Sequence, residues 1–139
     1  MAKRGNVVFV DTGAWIGLAL SADPLHDRAV EAWEAILRSG ARVCTSVPVV
    51  LETFTFLERN AARDVALAWQ AALGRVPFFK VLECSTRDLA KAWAYFTRPD
   101  LHKLSAVDAT SFVLMTKNKI SRAFAFDHHF ASVGFHLVG

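Results

Sequence analysis

Apolar residues in this chain fall into short unbroken runs and into helical stripes, and the two alternate from end to end. The first run, Val7, Val8, Phe9 and Val10, stops at Asp11. An apolar run of that length, without polar alternation, predicts a strand buried on both faces. Thr12 and Gly13, a small and flexible pair, follow the acid. Over residues 24 to 39, Leu25, Ala29, Ala32, Trp33 and Ile36 share one helical face, with Asp23 as N-cap, Pro24 in the first position and Gly40 past the end. "ARVCTS" predicts a short strand. "VPVVLETFTFLER" predicts a helix opening near residue 47, with a strand as the alternative.

The second half repeats the rhythm. Residues 61 to 73 predict a helix capped by Asn60 and closed by Gly74, with Val65, Leu67, Ala68, Trp69 and Leu73 as its apolar contacts. "FFKVLEC" predicts a strand. Ser85 or Thr86 caps a helix running to about Phe96, which Pro99 stops before the polar loop "RPDLHK". Ser105 opens a helix to about Lys117, "RAFAF" is a strand ending at Asp127, and "GFHLV" is a last strand. Strands alternating with helices predict an α/β fold, a mostly parallel sheet covered on both faces.

Composition narrows this little but usefully. A chain of 139 residues predicts one domain over residues 1–139, and 53% apolar against 21% charged residues excludes a disordered protein. The net charge of +3 permits a polyanionic partner without demanding one, since no dense Lys/Arg run occurs. Cys44 and Cys84 belong to no CxxC pair and are expected to be reduced core residues. No apolar run approaches the roughly 18 residues of a membrane span, and the N-terminus lacks a signal-like apolar segment, so a cytoplasmic location without membrane contact is expected.

Against that background four acids stand out. Asp11 and Asp127 each follow a strand-like run, and in a parallel sheet both would project from the carboxyl edge, where open α/β sheets place their sites. Asp108 stands three residues after Ser105, at the opening of a helix. Glu52 lies among apolar neighbours, with Val49 and Phe56 on its helical face. Each has an ordinary alternative role: a cap or turn for the aspartates, a solvated surface for the glutamate. Four carboxylates brought together repel one another and stay ionised only beside cations. Oxygen ligands suit Mg²⁺ or Mn²⁺, which bind phosphate oxygens and acidify water for attack on a phosphodiester.

These motifs carry a resemblance. "FVDTGAWIGL", "DPLHDRAVE", "VVLETFTFL", "KLSAVDATSFVLM" and "AFAFDHHFASVGF", in this order, resemble the PIN-domain ribonucleases, and within them the VapC-like toxins of toxin–antitoxin pairs. The resemblance spans essentially the whole chain. It implies a three-layer α/β/α, Rossmann-like domain, divalent-metal-dependent RNA cleavage, a small antitoxin partner and a homodimer. The family's acidic site maps onto Asp11, Glu52, Asp108 and Asp127, with Thr12 and Ser105 at the small hydroxyl positions beside the first and third acids. Many relatives carry further acids before the matched serine, where this chain has "DLHKLS"; Asp100 is the nearest substitute. His102 and Lys103 in that loop are expected to be phosphate contacts or plain surface residues rather than metal ligands. "DHHF" is expected to be a loop with Phe130 as an aromatic anchor rather than a zinc site. The tripeptide "DTG" also occurs in aspartic proteases, but this chain is rich in helices and has no second Asp-Thr-Gly. The remaining alternatives are an RNA-processing nuclease without an antitoxin and a non-catalytic RNA-binding protein.

Overall fold

The structure is a computed structural model that describes residues 6–139. Five strands, β1 (Val7–Val10), β2 (Arg42–Ser46), β3 (Phe79–Leu82), β4 (Arg122–Phe124) and β5 (His136–Val138), form one sheet in the order β3-β2-β1-β4-β5. Every pairing is parallel: Val8 registers with Val43 on one side and with Arg122 on the other. The helices are α1 (Thr12–Ala19), α2 (His26–Arg38), α3 (Val47–Asn60), α4 (Arg63–Leu73), α5 (Thr86–Ala92), α6 (Ala106–Lys117) and α7 (His129–Ser132), with a 3-10 turn at Trp93–Thr97. They complete the expected three-layer α/β/α arrangement. The chain winds outward from β1 to β3, then crosses to β4 on the other side of β1. The topological switch point therefore lies between β1 and β4, where Asp11 N donates to Phe124 O at 3.0 Å.

The apolar runs of β1 and the helical stripes meet in a single core. Phe9, Phe112, Phe124 and Phe130 are fully buried, and Phe112 and Phe130 meet edge-on with ring centroids 5.0 Å apart. Trp15 lies within 5.6–6.1 Å of Trp33, Trp69 and Phe79, so three of the four tryptophans are packed rather than offered to solvent. Cys44 is buried and its thiol is pushed up to about 12 by burial, while Cys84 is half-buried; both are free.

Several local expectations shift. Asp23 does not cap a helix beginning at Pro24: its Oδ1 accepts from Leu25 N at 2.8 Å in a turn, and α2 begins only at His26. Asn60 is the last residue of α3 rather than the cap of α4, and its side chain donates back to Phe56 O at 3.0 Å. The helix expected to reach Phe96 narrows into the 3-10 turn at Trp93, and the strand expected to reach Asp127 ends at Phe124. Two short helices had no counterpart in the pattern. Thr12 and Gly13 form the first turn of α1, and His129 and Phe130 begin α7, because each is set by what precedes it at the end of a strand rather than by periodicity. No helix among the described residues is long and apolar enough to cross a membrane.

Candidate metal centre

Four elements deliver one acid each to the carboxyl edge of the sheet. Asp11 follows β1 directly and stands at the N-cap position of α1, with extended backbone (φ −88°, ψ 164°) and no cap hydrogen bond from its side chain. Glu52 sits in the second turn of α3, which starts where β2 ends; Ser46 caps that helix, accepting from Val49 N at 3.3 Å. Asp127 stands three residues past β4, and its Oδ1 accepts the backbone N–H of His129 at 2.9 Å. Asp108 is the third residue of α6. The Ser105 hydroxyl caps that helix by accepting from Asp108 N at 2.9 Å.

The cap at α6 is one-sided, which matters for the chemistry. In α5 the same spacing closes a full capping box: Ser85 Oγ accepts from Asp88 N at 3.1 Å, and Asp88 Oδ2 accepts from Ser85 N at 3.0 Å. Lys117 Nζ, 3.3 Å away, holds Asp88 as well. The Asp108 carboxylate makes no such return bond and faces the other acids.

Their charges feel one another. Asp11, 4% exposed, is raised to about 7, mainly by burial and then by the charges of Glu52 and Asp127, with the Thr12 and Gly13 amides opposing. Asp108 is raised to about 9 by burial, by the Asp11 charge, and by its hydrogen bond to and the charge of Asp127, with Glu52 adding to it. For Asp127, partial burial works upward, yet the His129 backbone N–H, the hydrogen bond from Asp108 and the facing imidazole together hold it below the usual range. All four sequence-selected acids thus share one electrostatic neighbourhood. Without a cation, burial and the neighbouring acids disfavour the charged forms of Asp11 and Asp108.

The donor set fits a divalent ion. Asp11 Oδ1, Thr12 Oγ1 and His129 Nδ1 are buried without a hydrogen-bond partner, a costly condition unless something else takes up their lone pairs. One ligand atom each from Asp108, Asp127 and His129 lie within 4.8 Å of one another. His129 was not among the expected ligands. Its only signal in the sequence is its place two residues after a strand-end aspartate, and the residue that makes it interesting, Asp108, arrives from a distant helix. Phe130 is the expected anchor, fully buried. Asp100 is exposed and paired with Arg98 at 2.7 Å, which holds its carboxyl below the ordinary range. His102 and Lys103 are exposed.

Residues 8–136 match the PIN domain family. The chain belongs to that family. Over 130 residues it is 38% identical to the 23S rRNA-specific endonuclease VapC20 of Mycobacterium tuberculosis, covering 93% of this chain and 95% of that protein. The crystal structure of that relative, described as a sarcin–ricin loop cleaving toxin, superposes with a TM-score of 0.81 and 34% identity over 92% of this chain and 95% of the other. A VapBC2 structure from Rickettsia felis bound to promoter DNA (TM-score 0.68, 9% identity, 94% and 96% covered) and a DNA-bound VapBC from Salmonella typhimurium (0.64, 18%, 99% and 97%) share the fold. The expectations of a PIN fold and of a VapC-like nuclease are borne out by these likenesses.

Proposed function

We propose that this PIN domain is a divalent-metal-dependent endoribonuclease and the toxin of a toxin–antitoxin pair. In this reading Asp11, Glu52, Asp108 and Asp127 hold Mg²⁺ or Mn²⁺. The observation that carries it is the convergence of carboxylates from separate elements, where burial and then the neighbouring acids raise Asp11 and Asp108, beside buried oxygens with no protein partner. An arrangement that is unfavourable in the protein alone becomes favourable around a cation.

The roles follow from the placement. Asp11, Glu52, Asp108 and Asp127 would hold a divalent ion, which would supply polarisation of a phosphodiester oxygen and acidification of a water. Asp11, set between β1 and α1 by backbone bonds on both sides, and Asp108, set by the Ser105 cap, are the buried anchors. Glu52 and Asp127 are half-buried and stand where substrate can approach. The Thr12 hydroxyl, next in sequence to the first acid, is buried without a protein partner. Glu52 also borders an open groove of about 580 Å³ lined by Leu51, Phe56, Arg59 and Val107, where Arg59 offers a charge for a phosphate. The relative's named target makes a structured ribosomal RNA loop the first substrate to try.

Partners complete the reading. Val47, Leu51 and Leu89 are exposed and line one shallow groove with Val107, and Trp93, one turn beyond Leu89, is 53% exposed. An apolar strip of this kind suits a second copy of the chain. A small antitoxin would set an arginine fork across the carboxylates, displacing the ion that cleavage needs. The location that fits is the cytoplasm.

The deciding experiment is cleavage of an RNA panel that includes ribosomal fragments, with Mg²⁺ or Mn²⁺, with EDTA, and with the Asp11→Asn protein. Metal-dependent cuts lost in EDTA and in the variant are expected; full activity in EDTA would sink the mechanism. Expression of the wild type alone should arrest growth, and the small protein encoded next to it should relieve the arrest. A harmless, folded and abundant wild type with no co-purifying small partner would leave a processing nuclease in place of the toxin.

A further inference from the structure

We infer that His129 is a nitrogen ligand of the metal centre, which makes the cleft a mixed oxygen–nitrogen site and shifts its preference from Mg²⁺ toward Mn²⁺ and Co²⁺. This rests on the metal-dependent reading above and adds a ligand to it.

His129 is 6% exposed, and a ring nitrogen, one Asp108 oxygen and one Asp127 oxygen lie within 4.8 Å of one another. Its Nδ1 is fully buried and has no hydrogen-bond partner. An ordinary core histidine has both nitrogens satisfied by protein or water. This one instead directs Nδ1 at the acids.

Asp127 Oδ1 lies 2.9 Å from Nδ1, but off the direction of a ring N–H, so the pair is not hydrogen-bonded. That oxygen already accepts the His129 backbone N–H, also at 2.9 Å. Adjacent ligands of an octahedral ion with bonds of about 2.0–2.1 Å lie roughly 3 Å apart. The observed separation of 2.9 Å is therefore compatible with two atoms facing a common ion.

The segment is built to hold this arrangement. The bond from His129 N to Asp127 Oδ1 closes a tight turn that sets ring and carboxylate side by side. Next in sequence, Phe130 locks the start of α7 by burying its ring against Phe112. The His128 ring packs on that of His129 with centroids 4.5 Å apart, while its own side chain is 81% exposed. Of the two neighbouring histidines, only His129 is placed to ligate. Imidazole favours the later divalent transition ions over Mg²⁺, which demands oxygen ligands and keeps its waters.

The test is pulsed electron paramagnetic resonance of Mn²⁺ bound to the whole chain, read together with calorimetric titrations of Mn²⁺ and Mg²⁺. We expect ¹⁴N modulation from a directly bound imidazole in the wild type and in His128→Asn, and its loss in His129→Asn. That variant should bind Mn²⁺ about tenfold more weakly and lose much less of its affinity for Mg²⁺. Mn²⁺ bound by the wild type without nitrogen modulation, or modulation that persists in His129→Asn, overturns the inference and leaves the nuclease reading intact. If His129→Asn does not fold, the wild-type and His128→Asn spectra decide: modulation in both supports His129, and loss in His128→Asn refutes it. A wild type that binds no Mn²⁺ at all refutes the metal-dependent reading itself.

Discussion

The Thr45 hydroxyl donates to the Val10 carbonyl at 2.8 Å while accepting the indole N–H of Trp15 at 3.1 Å, all of it buried. The bond ties the end of β2 to the end of β1, one residue before Asp11 and one before the Ser46 cap of the helix that carries Glu52. Thr45→Val keeps the shape but leaves the Trp15 N–H unpaired. It should cost about 1–3 kcal/mol in urea unfolding and slow RNA cleavage, and Thr45→Ser should restore both.

The pH dependence of the metal-free protein has a defined sign. Asp11 and Asp108 are raised in the folded state, to about 7 and about 9 from an ordinary 3.8. Their contribution to stability is complete below the ordinary value and is lost as pH rises through those raised values. Asp127 is lowered and acts in the opposite sense, at acid pH. In EDTA, the melting temperature should therefore fall between about pH 5 and pH 9, and Asp108→Asn should flatten its upper part. Added Mg²⁺ or Mn²⁺ should raise it more at pH 9 than at pH 5.

Asp88 and Asp108 occupy the same place in the same local pattern, so exchanging each for a neutral residue separates their roles. Asp88→Ala breaks the capping box and the Lys117 contact and should cost about 0.5–2 kcal/mol, while cleavage at low temperature stays normal. Asp108→Asn should give a folded protein without detectable cleavage. Thermal melts and RNase assays on both variants check this.

The apolar strip predicts its own result. Leu51→Asp combined with Leu89→Asp places charges on residues that are 63% and 40% exposed, so folding should survive. Sedimentation should show a dimer for the wild type and a monomer for the variant.

Much of the architecture was legible because the strands announce themselves. Val7–Val10 has no polar face, so it had to lie in the middle of a covered sheet, and it does, between β2 and β4. The helices of regular period were placed within two residues or so. What failed was local and short: α1 and α7 are too brief and too close to strand ends to show a period, and Asp23 and Asn60 satisfied turns and helix ends that compete for the same side-chain chemistry.

The sequence by itself determined the parallel α/β sheet and the placement of two aspartates at its carboxyl edge, because apolar runs of strand length and the residues ending them are local properties. The serine three residues earlier does not by itself set Asp108 apart, since Asp88 stands in the same place at the start of its own helix. The tertiary structure shows how the two differ: Lys117 and the Ser85 amide claim Asp88, while burial beside Asp11 and Asp127 leaves Asp108 uncompensated. The same holds for His129, whose buried Nδ1 gains meaning only when α6 brings Asp108 beside it. Convergence of distant segments is a property of packing, and no local pattern records it.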